Sequence, residues 1–129
     1  MASPTGRSER VFKTAWFSRA ARKAHIADPE LCEAIRQAML GQADNLGGGV
    51  FKKCLGKNLY RSIVLARGGR YWVYVYLFAK QDRTNIDDDE LRAFRDLADL
   101  YARKTDTHIA REIEIGELME ICNAQQPQI

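Results

Sequence analysis

Apolar and polar positions alternate most clearly over residues 59–85, where two runs of β-branched and aromatic residues flank Gly68-Gly69. Side chains of a strand point alternately to its two faces, and a Gly-Gly pair supplies the positive φ angles that a tight turn needs. The pattern therefore predicts an antiparallel hairpin with a two-residue turn. That turn sets the following cross-strand partners: Arg61 with Tyr76, Ile63 with Tyr74, and Leu65 with Trp72.

The two faces of this hairpin differ in composition. One face is predicted to be core and carries Tyr60, Ser62, Val64, Ala66, Tyr71, Val73, Val75 and Leu77. The other face is also largely apolar, but its open end carries Arg61, Tyr76 and Phe78, and Lys80 and Arg83 follow directly. A cluster of cations and aromatic rings at the end of a central hairpin is the first candidate for a functional site.

The rest of the chain predicts further strands and several helices. Asp28-Pro29 is typical of a helix start, and the acids that follow Asn85 suit the positive end of a helix dipole. The predicted elements are a strand over 10–16, helices over 18–26 and 28–40, a flexible turn over 46–49, a strand over 50–55, helices from 84 or 85 to about 104 and over 107–115, and an extended segment over 116–122. This order predicts an α+β domain over residues 10–122, with a small, mainly antiparallel sheet and helices packed on one face. Residues 1–9 and 123–129 are predicted to be a flexible N-terminal tail and a loose C-terminal tail.

Composition narrows the class of protein. The hydrophobic fraction of 46% is ordinary for a globular domain, and no apolar run approaches the length of a membrane span. Residues 1–85 hold 15 Lys and Arg against 6 Asp and Glu, whereas residues 86–129 hold 5 against 11. This asymmetry favours a basic working surface and an acidic C-terminal segment. Cys32, Cys54 and Cys122 are odd in number and widely spaced, which predicts a cytoplasmic protein without a disulfide framework or a metal site.

Familiar catalytic sets are missing from the sequence. His25 and His108 are the only histidines, and neither has a partner in the sequence that would orient it as a base. The acids 87–89 are explained by the helix start. The glycines 47–49 lack the Lys-Ser/Thr of a phosphate loop. No metal and no cofactor is therefore predicted.

What remains is a set of cations interleaved with aromatic residues. Lysine and arginine neutralise phosphates, and aromatic rings stack on unpaired bases, so the combination suits a single-stranded nucleic acid. Most of the aromatic residues are nevertheless expected to serve as core. The set is Lys52, Lys53, Lys57, Arg61, Arg67, Arg70, Lys80 and Arg83, with Phe51, Tyr60, Trp72, Tyr74, Tyr76 and Phe78.

Three segments of the chain resemble a known family. They are Leu46-Gly-Gly-Gly-Val-Phe-Lys-Lys, Tyr60-Arg-Ser-Ile-Val and Tyr76-Leu-Phe-Ala-Lys-Gln-Asp-Arg-Thr-Asn-Ile-Asp. Together they resemble the RelE/HigB-like toxins of bacterial type II toxin–antitoxin systems, over about residues 11–100. The resemblance implies a RelE-like toxin domain of the microbial-ribonuclease type. Its implied activity is ribosome-dependent cleavage of mRNA by a metal-independent endoribonuclease that a cognate antitoxin neutralises.

The resemblance also implies roles for individual residues. The ribose 2′-hydroxyl attacks the adjacent phosphate, and a crowd of cations stabilises the charge that develops. Lys52 is the candidate base or phosphate clamp, Arg61 the candidate ligand of the scissile phosphate, and Lys80 and Arg83 complete the implied catalytic set. The residues expected to bind RNA are Lys53, Lys57, Tyr76 and Phe78. The implied partners are the antitoxin, the ribosome and mRNA, in the cytoplasm and without a membrane.

The sequence departs from the family pattern at three places, which keeps other functions open. One is that acids follow Arg83, where the best-known members have a tyrosine. The family's Lys-x-Arg is Lys52-Lys53-Cys54 here, and the basic loop before Tyr60 is reduced to four residues. One alternative is a binding protein of the same fold that does not cleave RNA. Another is a ParE-like toxin directed at DNA gyrase. The block that contains Lys80 and Arg83 is evidence against this alternative.

Overall fold

The computed structural model describes residues 9–67 and 70–122, and within them the chain forms strands, helices and short turns. The strands are β1 (Arg10–Thr14), β2 (Asp44–Gly47), β3 (Val50–Leu55), β4 (Tyr60–Arg67), β5 (Tyr71–Ala79) and β6 (Leu118–Ile121). The helices are α1 (Ala15–Lys23), α2 (Asp28–Met39), α3 (Asp88–Ala102) and α4 (Asp106–Glu114). The predicted tails over 1–9 and 123–129 lie outside the described residues, except for Glu9.

All six strands belong to one sheet, in the spatial order β2-β3-β4-β5-β1-β6. Every neighbouring pair is antiparallel except β1 and β5, which run parallel. The α+β class and the mainly antiparallel sheet are therefore confirmed. None of the helices within the described ranges has the length and apolar character needed to cross a membrane.

The predicted hairpin is formed by β4 and β5, but its predicted register is wrong. Arg67 pairs with Tyr71, so three residues separate the strands instead of two. A further irregularity between Ile63 and Val64 shifts the pairing by one more residue. As a result Arg61 lies opposite Phe78, Ile63 opposite Tyr76, and Leu65 opposite Val73. The irregularity acts as a β-bulge, which changes the faces that follow it along a strand.

Helices cover both faces of the sheet, which corrects the prediction of helices on one face. One apolar cluster contains Phe17 and Ala21 of α1 with Leu31 and Ile35 of α2. A separate cluster contains Ala98 and Tyr101 of α3 with Ile109 of α4. Adjacent residues of a strand enter different clusters, as Ile63 and Val64 do. Because helices cover both faces of the sheet, the side chains on both sides of β5 face a core. The continuous run of aromatic and aliphatic residues in β5 matches this burial.

The first strand is shorter than predicted, and this moves Trp16 into a helix. Thr14 ends β1, and its hydroxyl accepts a hydrogen bond from the Phe17 N–H, so that Thr14 caps α1. Ser18, which had been predicted as the cap, is buried inside the helix. At the start of α3, Asp87 and Glu90 form a capping box, so the cap is Asp87 instead of the predicted Thr84 or Asn85.

Residues 46–49, predicted as a flexible turn, belong to an ordered β2–β3 hairpin. Gly48 and Gly49 have φ angles of +65° and +84°, a region that other residues rarely adopt. A Cβ on Gly48 would lie 2.8 Å from Cγ of Arg95, an α3 residue whose guanidinium donates to the Leu46 carbonyl. The glycines therefore let α3 pack closely on this hairpin.

A disulfide joins Cys32 of α2 to Cys122, the residue after β6, with 5.5 Å between their Cα atoms. The prediction of no disulfide framework is therefore wrong. The two cysteines are 90 positions apart in the chain, and only the packing of α2 beside the β6 edge brings them together. Cys54 is free and exposed.

Two tyrosine hydroxyls fasten the helix layers to the sheet. Tyr74 donates to the Leu31 carbonyl of α2 at 2.7 Å, and Tyr71 donates to the Tyr101 carbonyl of α3. Burial raises the pKa of Tyr74, and it raises the pKa of Tyr101 to about 12. The hydroxyls of Tyr74 and Tyr101 therefore hold their protons more tightly in the folded chain than in the unfolded one.

This predicts a loss of stability at alkaline pH. Tyrosines of the unfolded chain ionise near pH ~10, whereas Tyr74 and Tyr101 stay protonated in the folded chain at that pH. Below pH ~10 these two tyrosines therefore do not change the free energy of unfolding. Above that pH the free energy of unfolding falls, by at most about 1.4 kcal/mol per pH unit for each buried tyrosine. Urea unfolding between pH 8 and pH 12 measures this slope. Tyr74→Phe should give a shallower slope than the parent protein, and equal slopes would contradict the assignment.

Candidate functional site

Two of the predicted catalytic cations share one face of the sheet, the face that α3 and α4 cover. Lys52 of β3 lies beside Ile63 of β4, and Ile63 lies beside Tyr76 of β5. Arg61 is two residues from Ile63 and lies beside Phe78. Residues two apart on a strand point to the same face. Lys52 and Arg61 are thus diagonal neighbours on adjacent strands, roughly 7–8 Å apart, a spacing that long side chains can bridge.

Lys52 is held by two oxygen atoms. Its ammonium Nζ lies 3.4 Å from Oδ1 of Asn85 and 3.8 Å from Oδ2 of Asp44. Only 16% of the Lys52 side chain is exposed, whereas 71% of the Asp44 side chain is. An ammonium positioned in this way on β3 can exchange the amide oxygen for a phosphate oxygen.

Arg83 reaches the same place from the segment between β5 and α3. Its Nε donates to the Asn85 carbonyl at 3.0 Å, so that Asn85 contacts both Arg83 and Lys52. Its guanidinium pairs with both carboxylate oxygens of Glu90, lies 3.4 Å from the Tyr76 hydroxyl, and stands over the Phe78 ring at 5.4 Å. The hydrogen bonds from Arg83 lower the pKa of Glu90. Glu90 therefore remains ionised and holds the arginine in place.

Arg61 is tied to the turn that precedes its own strand. Its Nη1 donates to the carbonyls of Asn58 and Tyr60, at 3.1 and 3.2 Å. Lys57 and Asn58 have φ angles of 56° and 72°, so this turn contains two non-glycine residues in the left-handed region. Lys57 lies in this turn and is exposed.

The structure separates Lys53 from this cluster. Lys53 points to the opposite face from Lys52, and its Nζ donates to the Gln42 carbonyl at 2.7 Å. Lys80 is exposed just after β5, and its backbone N–H donates to the Leu59 carbonyl. Cys54 lies beside Arg61 on the cationic face, where the family pattern has a second cation.

A cleft of about 650 Å³ opens beside this cluster, between α1 and the end of β5. It is lined by three site residues predicted from sequence and by α1 residues that sequence reasoning missed. The predicted ones are Tyr76, Phe78 and Arg83, and the missed ones include Trp16, Arg19 and Lys23. The basic spacing Arg19-x-x-x-Lys23 was visible in the sequence, but the assignment of Trp16 to a strand concealed that the three share a helix face. The sequence predicts Asn85 only as a helix cap, so its contacts with Lys52 and Arg83 were missed.

Within the described residues no three His, Cys, Asp or Glu side chains are placed together so as to hold a metal ion. The groups that converge are the cations, the Asp44 and Glu90 carboxylates that pair with two of them, the oxygen atoms of Asn85, and aromatic rings. Such a set can bind and stabilise an anion flanked by a planar base.

The comparison with known protein families decides the assignment. The sequence model described as the RelE toxin of the RelE/RelB toxin–antitoxin system matches residues 9–121, which is most of the chain. The chain belongs to the RelE toxin family. No curated protein and no solved structure matches it significantly.

Membership of this family implies a partner protein. A RelE-family chain is the toxin of a toxin–antitoxin system, so an antitoxin partner is implied. The matched range covers every strand and helix described above, and it includes Lys52, Arg61 and Arg83.

Proposed function

We propose that this RelE-family toxin is a ribosome-dependent endoribonuclease that cleaves mRNA without a metal ion. The observation that carries the proposal is the sharing of one sheet face by Lys52 and Arg61, with Arg83 linked to Lys52 through Asn85. On this proposal, cations from separate parts of the chain bind a single phosphodiester between them.

The proposed reaction is an internal transesterification. The 2′-oxygen of a ribose forms a bond to the adjacent phosphorus, and the bond from phosphorus to the 5′-oxygen of the next nucleotide breaks. The proton of the 2′-hydroxyl leaves to a base, and the departing 5′-oxygen gains a proton. The products are a 2′,3′-cyclic phosphate and a free 5′-hydroxyl.

The proposed roles follow from position. Arg61 and Lys52 contact the non-bridging phosphate oxygens, whose negative charge grows in the transition state. As an alternative to this phosphate contact, Lys52 is the candidate base, since only 16% of its side chain is exposed. Arg83, oriented by Glu90, stabilises charge near the leaving oxygen. Lys80 is proposed to assist by contact with a flanking phosphate, and Lys57 and Lys53 to contribute to RNA binding from the turn and from the opposite face.

The proposed place of action is the cytoplasm, where ribosomes and mRNA are found. The thiol pool there keeps most cysteines reduced, so the Cys32–Cys122 pair would exist largely as free thiols in that compartment. The proposed antitoxin covers the cationic face or displaces an element beside it, with an acidic or helical segment.

Cleavage is tested with purified ribosomes that carry a defined mRNA. We expect new 5′-hydroxyl ends within codons when the toxin is added, and the same ends in the presence of EDTA once the ribosomes have been stabilised with a polyamine. Induced expression should arrest growth. Intact mRNA on toxin-treated ribosomes would contradict the proposal.

Arg61→Ala is expected to reduce the cleavage rate by about 10²- to 10³-fold, because it removes a donor aimed at the developing phosphate charge. It should relieve growth arrest as well. Arg67→Ala is the matched control, because Arg67 lies on the same strand and face but at its other end, where it donates to the Ala102 carbonyl. Equal losses in the two variants would indicate a general charge effect instead of a site at Arg61.

A second candidate function is binding without cleavage. It is favoured by Cys54, which stands beside Arg61 where the family pattern has a cation, and by the pairing of Arg83 with Glu90. Tight complex formation with the antitoxin, with no new mRNA ends, would support this function over the nuclease.

A further inference from the structure

One face of α1 lies toward the cleft and carries a stripe of four residues, of which Ala20 also packs against the core. Trp16, Arg19, Ala20 and Lys23 follow the spacing i, i+3, i+4 and i+7, and all four line the cleft beside β5. The opposite face of the helix is buried in the core through Phe17 and Ala21. The stripe is therefore a surface of the cleft, held rigidly by the packing of α1.

The end of β5 forms the other wall of this cleft. β1 pairs with β5 only as far as Lys13 and Tyr74, because β1 ends at Thr14. The second half of β5 therefore has no strand on this side, and α1 lies there. Tyr76 and Phe78 from this half strand line the cleft together with Arg83.

Trp16 is the most unusual side chain in the cleft. Its indole stacks on the Tyr76 ring, with 5.3 Å between ring centroids and 25° between ring planes, yet Trp16 remains 45% exposed. The other tryptophan, Trp72, is only 7% exposed. A large exposed ring on a fixed aromatic support offers a planar base a stacking surface.

The charges around Trp16 are mainly positive. Arg19, Lys23 and Arg83 line the cleft with a single acid, Asp82. Within the described ranges Arg19 and Lys23 have no ion-pair partner, whereas Arg83 is paired with Glu90. Two unpaired cations suit the phosphate of one unpaired nucleotide, and the aromatic ring beside them suits its base.

We propose that Trp16, Arg19 and Lys23 form a subsite for the nucleotide next to the cleaved phosphodiester, with its base stacked on Trp16 and its phosphate bound by the two cations. The proposal rests on the proposed RNA-directed function. Tyr76 and Arg83 belong both to this cleft and to the cationic cluster, so a strand bound at Lys52 and Arg61 continues directly onto Trp16.

The subsite can be tested by tryptophan fluorescence of the full chain. The probe is a single-stranded oligonucleotide of about six 2′-O-methyl nucleotides, which binds as RNA does but has no 2′-hydroxyl to react. We expect the oligonucleotide to quench the emission of the parent protein, because Trp16 is exposed and stacks on a base, while Trp72 is buried. The quenching should be lost in Trp16→Phe, whose remaining tryptophan is Trp72.

Affinity changes separate stacking from general charge. Trp16→Ala is expected to weaken oligonucleotide binding by about 5- to 150-fold, and Trp16→Phe should restore most of the loss. Arg19→Ala should weaken binding and reduce its salt dependence. Arg22→Ala is the matched control, because Arg22 is an exposed arginine on the same helix that does not line the cleft, and it should bind as the parent does.

Each outcome bears on the subsite separately from the nuclease. Quenching through Trp16 without mRNA cleavage would support the subsite and remove the proposed function. If the parent protein cleaves mRNA and Trp16→Ala binds the oligonucleotide with unchanged affinity, the proposed function is supported and the subsite is contradicted. If the oligonucleotide does not bind and the antitoxin quenches Trp16 instead, the cleft is a protein-binding site and the proposal is overturned.

Discussion

Lys52→Ala is expected to reduce mRNA cleavage by about 10²- to 10⁴-fold, the range found when a general base or a charge-stabilising group is removed from an active site. The structural reason is that Lys52 combines low exposure with a position diagonal to Arg61 and a link through Asn85 to Arg83. The rate of appearance of 5′-hydroxyl ends on programmed ribosomes measures the effect.

The chain supplies a matched control for this variant in the next residue. Lys53→Ala removes the same charge from the same strand, but from the opposite face, where Lys53 donates to the Gln42 carbonyl. We expect Lys53→Ala to cleave at a rate within a few-fold of the parent, and any loss to appear in the affinity for RNA. If both lysine variants lose the same large factor, the face-specific site is wrong and general electrostatic attraction to RNA explains the activity.

Reduction of the Cys32–Cys122 disulfide is expected to lower the free energy of unfolding by about 4 kcal/mol. A cross-link between residues 90 positions apart restricts the unfolded chain strongly, and the chain-entropy relation gives a value of this size. The bond also anchors β6 to α2; among the described residues β6 is an edge strand that pairs only with β1. Urea unfolding with and without dithiothreitol measures the loss, which should move the midpoint by about 1 M or more.

Variants of the cysteines make this test specific. Cys32→Ala should have the midpoint of the reduced parent and should not respond to dithiothreitol. Cys54→Ala, which removes the free and exposed cysteine, should keep the full response. Three reactive thiols in the folded, unreduced protein would show that the disulfide does not form, and an unchanged midpoint on reduction would show that it does not stabilise the fold. A large shift would also mean that the toxin is less stable in a reducing compartment.

Local patterns were sufficient for most of the elements. The apolar period of four residues in α2 and the run of β-branched and aromatic residues in β4 and β5 are properties of short windows, and both predicted the right type of element. The first and last residues of the helices and strands were predicted less well. Thr14 and Ser18 are both acceptable caps by composition, and only the pairing of β1 with β5 and β6 determines where the strand stops.

The register of the hairpin shows why the site could not be assembled from sequence alone. Gly68-Gly69 is compatible with loops of two or three residues, and the irregularity beside Ile63 has no marker in the sequence. Each one-residue shift changes the partner of every cation on the strand. The predicted neighbour of Arg61 was therefore Tyr76, whereas Phe78 is the observed one.

By itself, the sequence determined most of the element types, the α+β class, the family and the presence of cations on a central hairpin. Tertiary structure alone decided that helices cover both faces of the sheet, that Cys32 meets Cys122, and that α1 brings Trp16 to the cationic cluster. The physical reason is the range of the interactions. Periodicity and capping act between residues a few positions apart, whereas the Trp16–Tyr76 and Cys32–Cys122 contacts join residues 60 and 90 positions apart through packing of the whole domain.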